Sequence, residues 1–350
     1  MSSSSSDRLV WFRGAARIGA VLALLVVVVG AWVRLTDAGL GCPDWPGCYG
    51  RIHPSIVAEH ATETSAAYPS RPFEYDKALH EMVHRYLAGA LVLVIVVLAF
   101  YSVRNRKDPA QPKLVPWLLV ALVGMQAALG AYTVTLLLKP LIVTLHLVGG
   151  LSTLALLWWL SLAPERRDVK AAERPVRRLA LLALAVVATQ ILLGGWTSSN
   201  YAAVACPDFP TCQGKWLPET DVGSAFVLWR GVGGIDYEHG VLGQPARAAI
   251  HFAHRIGAVV TATTLIVLML MAFRRAQTRR TRIAAALVGA TIVLQWLIGM
   301  NLIWQGFPLW LGTAHNFGAA LVLLATLTLL RALYPSGPGI ALRVQPAANL

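Results

Sequence analysis

Eight times along its 350 residues the chain runs into a stretch of apolar, uncharged residues about as long as a bilayer-crossing helix. These stretches lie near 18–33, 86–103, 114–138, 140–164, 179–204, 256–273, 283–304 and 307–330. A hydrocarbon core of about 30 Å takes roughly 20 helical residues to cross. Inside lipid the backbone N–H and C=O groups have no water to bond, so only a helix or a closed barrel satisfies them. The expectation is therefore an all-α membrane protein of eight transmembrane helices. With 56% hydrophobic and 13% charged residues, the composition excludes an ordinary soluble domain.

The formal charge of +13 is explained by topology, so no nucleic-acid partner is expected and the membrane lipid is the surrounding partner. Basic residues gather in "RNRKDPAQPK", "PERRDVKAAERPVRR" and "RRAQTRRTR", the connections after the second, fourth and sixth stretches. Together with Arg8, Arg13, Arg17, Arg331 and Arg343 they put 20 of the 30 Lys and Arg on one side. Positively charged connections stay in the cytoplasm. Both termini are thus expected inside, with the long loops 37–78 and 200–247 outside.

The chain is also written twice. "GAWVRLTDAGLGCPDWPGC" at 30–48 returns as "GGWTSSNYAAVACPDFPTC" at 194–212, "HEMVHRYLAGAL" returns as "HFAHRIGAVV", and "QAALG…TLHLVGG" returns as "QWLIG…TAHNFGA". Two pseudo-symmetric four-helix bundles follow, 1–170 and 171–350, parallel because each holds an even number of spans. The repeated first span argues that the N-terminal apolar run is retained rather than cleaved as a signal peptide. Small residues such as Gly89, Gly124, Gly130, Gly149, Gly150, Gly257, Gly299 and Gly318 suit close helix contacts in lipid.

Each even-numbered span carries one repeated histidine near its outer end: His84, His146, His254 and His315. A single intramembrane histidine is as well read as a hydrogen-bonded packing residue, but four at matching positions point to function. Two imidazoles on facing helices can meet one planar macrocycle from opposite sides, as axial ligands of a haem iron. "HLVGG" and "HNFGA" place glycine three residues on, where a flat ring needs room. Arg85 and Arg255 follow two of the histidines directly and can pair with propionates or snorkel to the interface. His80, Glu81 and His84 also spell H-E-x-x-H, a zinc-protease signature. The second copy reads "IHFAHR", with Ile250 opposite His80 and His251 opposite Glu81, so the repeat keeps one histidine and discards the motif.

Glu81 is the asymmetry. It lies three residues before His84 and on the same helix face, so an acid is expected beside one site alone. That assigns chemistry to the first half and electron transfer to the second, although Glu81 is also readable as an interfacial carboxylate satisfied by His80 or Arg85. Cys42 and Cys48, like Cys206 and Cys212, have five residues between them and lie on the oxidising side. Four cysteines allow three pairings. The repeat favours Cys42 with Cys48 and Cys206 with Cys212, each closing a small loop above a haem site.

Eight spans in two halves, "RLTDAGLGCPDWPGC" after the first, "EMVHR" opening the second, and His146, His254 and His315 on later even spans resemble the haem A synthase family, over about residues 17–333. The cysteine pairs match its disulfide-bearing bacterial branch; other branches lack them, which places them outside the chemistry. The resemblance implies that the C8 methyl of haem O is oxidised to a formyl group, giving haem A. It implies substrate haem O on His84 and His146, a permanent haem b on His254 and His315, and Glu81 as the essential acid. By the same analogy the partners are the haem O synthase and the terminal oxidase under assembly, the location is the bacterial plasma membrane, and a homo-oligomer is allowed. The rival classes are a di-haem b-type cytochrome passing electrons from quinol, and a haem transporter or chaperone.

Overall fold

A computed structural model describes residues 5–163, 173–231 and 234–334. The basic residues Arg166, Arg167, Lys170 and Arg343, the expected boundary at 170 and 171, and Met1 to Ser4 lie outside the described residues.

Eight long helices carry the fold: α1 (Ser5–Leu35), α2 (Tyr75–Arg104), α3 (Leu114–Thr135), α4 (Pro140–Ser161), α5 (Arg174–Ser199), α6 (Gln244–Arg275), α7 (Arg279–Trp304) and α8 (Leu309–Ala332). Each is long and apolar enough to cross a bilayer. Their starts are set locally. Proline sits in the first turn of α4, α5 and α6, where its missing N–H leaves no helical bond unmade. The Thr278 hydroxyl caps α7 by accepting from the Thr281 N–H at 3.1 Å.

Two helices begin well before their apolar stretches. α2 starts at Tyr75 rather than near 86, and α6 at Gln244 rather than near 256. Residues 75–85 contain Asp76, Lys77, Glu81 and Arg85, which read as loop by hydropathy, yet nothing in that segment breaks a helix. The extra three turns carry Glu81, His84 and Arg85 in α2 and His251, His254 and Arg255 in α6. At the other end of the range, α5 stops at Ser199, and a 3₁₀ turn over Ala203–Ala205 replaces the expected continuation to 204.

The packing follows a closed order. α1 packs on α2 and α4, and α3 on α2 and α4; likewise α5 packs on α6 and α8, and α7 on α6 and α8. The two sets meet where α1 touches α8, α4 touches α5, and α4 touches α8. One apolar core runs through both sets, with Phe12, Ile95, Leu98, Leu154, Leu157, Leu265, Leu268 and Leu329 fully buried. Polar contacts tie the junction: Trp158 Nε1 donates to Thr328 Oγ1 at 2.9 Å, the Arg34 guanidinium to the Ser198 carbonyl at 2.9 Å, and the Thr144 and Ser199 hydroxyls lie 3.1 Å apart. At this seam Gly195 lets α5 approach α4, since a methyl group there would lie 3.1 Å from Leu147 and 3.3 Å from Thr144. Gly89 and Gly124, by contrast, have no such neighbour, so those two are not contact glycines.

Arg71, in the connection between α1 and α2, pairs with Asp236 and Glu238, in the connection between α5 and α6. Phe12 is the most informative test of the shared core. Phe12→Ala leaves a cavity where α1 is fully enclosed, and we expect a loss of about 3 kcal/mol, seen as a lowered midpoint of thermal unfolding in detergent.

Candidate functional site

The four histidines come together in twos. His84 of α2 faces His146 of α4 with ring centroids 6.5 Å apart and planes at 77°. His254 of α6 faces His315 of α8 at 6.3 Å and 74°. Those spacings have a chemical meaning. A metal–imidazole bond is about 2 Å, so two imidazoles on opposite sides of one metal place their centroids roughly 6 Å apart. Both pairs fit an iron held between them.

The donor set also fits a haem better than a bare ion. Among the described residues no three or more His, Cys, Asp or Glu converge, and two imidazoles alone leave a zinc ion short of its usual ligands. A macrocycle brings its own four nitrogens. His84 Nδ1 and His146 Nδ1 are both shielded and without a hydrogen-bond partner, so in this pair no side chain fixes which ring nitrogen carries the proton. His80 is turned elsewhere, edge-on to Trp32 at 6.4 Å.

Each imidazole lies against a glycine of the preceding helix. A methyl group on Gly30 would come to 2.8 Å from the His84 ring, on Gly130 to 3.5 Å from His146, on Gly194 to 3.2 Å from His254, and on Gly299 to 3.1 Å from His315. Gly30 and Gly194 play this part without having been singled out by sequence, although both sit at matching places in the repeat. The glycines three residues after the histidines do something different from what the sequence implied. The space over Gly149, Gly257 and Gly318 is filled by the side-chain amides of Gln126, Gln190 and Gln295, each of which would lie within 2.2 Å of an added methyl group. These glycines make room for a glutamine rather than for a flat ring.

Glu81 is 5% exposed and fixed at both oxygens. Oε2 accepts from the Cys42 N–H at 2.9 Å, and Oε1 accepts from the Arg85 guanidinium four residues on. Gly41 makes this possible, because a side chain there would lie 2.6 Å from the Lys77 carbonyl carbon in α2. The loop therefore rests its Cys42 amide directly on the acid. In α6 the matching residue, His251, is 5% exposed and its Nε2 accepts from Arg255 Nε at 3.2 Å.

Both disulfides form, Cys42 to Cys48 and Cys206 to Cys212. Their loops are organised alike: Asp44 accepts from the Tyr49 and Gly50 amides at 2.6 and 2.7 Å, and Asp208 from the Gln213 and Gly214 amides at 2.5 and 3.0 Å. The Thr211 hydroxyl also bonds Asp208, and holds its carboxyl below the ordinary aspartate range. Arg85 donates to the carbonyls of Asp44, Pro46 and Gly47, and Arg255 to those of Cys206, Asp208 and Thr211. Each arginine thus binds its helix to the disulfide loop above the histidine pair.

The fold and site define an all-α, multi-pass membrane protein with two half-buried bis-histidine sites, one of which has an enclosed carboxylate beside it. Residues 15–327 match the COX15-CtaA family, described as cytochrome oxidase assembly protein. A protein named heme A synthase in Shewanella oneidensis is 42% identical, covering 89% of this chain and 94% of that one. Proteins of the same name from Caulobacter vibrioides and Halalkalibacterium halodurans are 30% and 24% identical, over 89% and 83% of this chain and 92% and 87% of theirs. The chain belongs to the haem A synthase family.

The glycine contacts yield a graded test. Gly30→Ala forces the His84 ring to move, an overpacking cost of about 1–3 kcal/mol, whereas Gly130→Ala makes ordinary contact with His146. Haem absorbance per protein after purification is expected to fall for Gly30→Ala and to hold for Gly130→Ala.

Proposed function

We propose that the protein is a haem A synthase: it takes haem O into the half formed by residues 1–170 and oxidises its C8 methyl group to a formyl group. The observation that carries this reading is the enclosed acid at one histidine pair and its replacement by His251 at the other. Two equivalent electron-transfer sites would not need that difference.

In this reading His84 and His146 hold the substrate's iron, and His254 and His315 hold a permanent haem b in the half formed by residues 171–350. Bound there, haem b supplies one-electron transfer. Methyl to formyl replaces two C–H bonds by C=O, a four-electron oxidation that balances with dioxygen as terminal oxidant: one methyl group and one O2 give one formyl group and one water. The chain's own contribution is concentrated at Glu81. Its carboxyl group is held still by the Cys42 amide and Arg85, so it would need no reorganisation to stabilise positive charge at the reacting carbon or to take a proton there. Arg85 and Arg255 would offer their positive charge to a propionate of the bound haem, while their carbonyl contacts hold the loop down. The disulfide loops keep both arginines, and hence Glu81, in place.

Both termini then lie in the cytoplasm of a bacterial cell and both disulfides outside, consistent with the sided distribution of Lys and Arg. Haem O arrives from the enzyme that makes it, and haem A passes to a terminal oxidase.

The decisive assay extracts pigment from the purified protein and identifies it by mass. Haem B together with haem O or haem A is expected. Glu81→Gln is expected to retain both haems while haem A formation falls about 100-fold or more. Haem B alone in the wild type points instead to an electron-transfer cytochrome, and haem A formed at the wild-type rate by Glu81→Gln removes the acid's role.

A further inference from the structure

The four histidines are not held alike. In α5, Gln190 donates to the His254 carbonyl at 3.0 Å, with its amide nitrogen 3.1 Å from His254 Nδ1. In α7, Gln295 donates to the His315 carbonyl at 3.1 Å and lies 3.3 Å from the ring nitrogens. Each amide thus stands against its imidazole; with iron on Nε2 the ring's Nδ1 carries a proton, and the amide oxygen, which has no partner of its own, accepts that proton once the amide turns about its last bond. Gln126 in α3 is placed in the same way, four residues before the glycine that backs the ring and over the glycine three residues after His146, but its Nε2 has no partner and His146 Nδ1 has none either. In α1 the residue four before Gly30 is Val26, and the residue three after His84 is Leu87. His84 has no glutamine beside it, and it is the Val26 backbone carbonyl that approaches its ring.

A partner on the far side of a metal-bound imidazole fixes the ring's orientation and tautomer, and losing it typically weakens the metal bond about 10–100-fold. A site that must keep its haem gains from such a latch on both sides. A site that must admit a substrate and discharge a product needs one ligand that lets go. Resting on the assignment of the substrate to the first pair, we propose that Gln190 and Gln295 are positioning residues that keep the second haem resident, and that His84, the ligand without a side-chain latch, is the one that yields. The graded order is built into the odd-numbered helices: two bonded amides, one amide in place without a bond, and one valine.

Carbon monoxide and apomyoglobin test this on the full-length, haem-loaded protein. Carbon monoxide binds reduced haem only where an axial ligand gives way, and apomyoglobin takes up whatever haem the protein releases. In the wild type, carbon monoxide is expected at one haem of the two. Val26→Gln combined with Leu87→Gly installs the missing latch and is expected to abolish that carbon monoxide spectrum. Gln295→Leu and Gln190→Leu are expected to do the opposite, making the second haem reactive to carbon monoxide and speeding its loss to apomyoglobin about 10–100-fold. These two variants decide the matter even where the double variant does not fold. Two chemically different haems with carbon monoxide binding unchanged in the glutamine variants overturn the latch alone. A pigment of haem B only overturns the functional reading beneath it.

Discussion

An imidazole placed within a membrane-spanning bundle has to find a partner, because lipid offers none and a shielded nitrogen left unbonded costs free energy. Here four imidazoles are brought in, and two of them have a ring nitrogen with no protein partner. The spacing within each pair is what an iron between them requires. The remainder of the architecture serves this arrangement. The glycines of α1, α3, α5 and α7 let each ring lie against a bare helix backbone, and the apolar core at the other end of the bundle fixes the helix positions on which the spacing depends.

Above the pairs the same economy of parts is used twice with one change. An aspartate gathers the amides of each disulfide loop, and an arginine from the helix below gathers its carbonyls. Between them lies one variable position, Glu81 or His251. Because the loop, the disulfide and the arginine are shared, the chemical difference between the sites reduces to that residue and to the way the histidines are held. A carboxylate in a rigid cradle is a preorganised charge. A histidine bonded to arginine is not.

Most of the fold was legible in the sequence because lipid permits so few answers: eight apolar stretches became eight helices, and the repeat marked the four histidines and the cysteine pairs. The starts of α2 and α6 were misplaced, since hydropathy falls where Asp76, Lys77, Glu81 and Arg85, or Arg247, His251 and Arg255, interrupt the apolar run, while the helix continues through them. The propionate expectation for Arg85 and Arg255 foresaw their charge but not the loop carbonyls they hold, which belong to residues about 40 positions away in the chain. The glutamines were missed although the repeated segments beginning at Gln126 and Gln295 contain them. The available signal was an amide recurring four residues before a glycine inside an apolar span, where a polar side chain needs a reason. Hydropathy registers only a slightly less apolar helix there.

The most direct measurement of the central claim is the electron paramagnetic resonance spectrum of the oxidised, haem-loaded protein, compared with His146→Ala and His315→Ala. Two low-spin signals are expected, each typical of an iron with two histidine ligands, with His146→Ala removing one and His315→Ala the other. Both signals surviving in both variants, or the same signal lost in both, would contradict the pairing of these histidines around two separate irons.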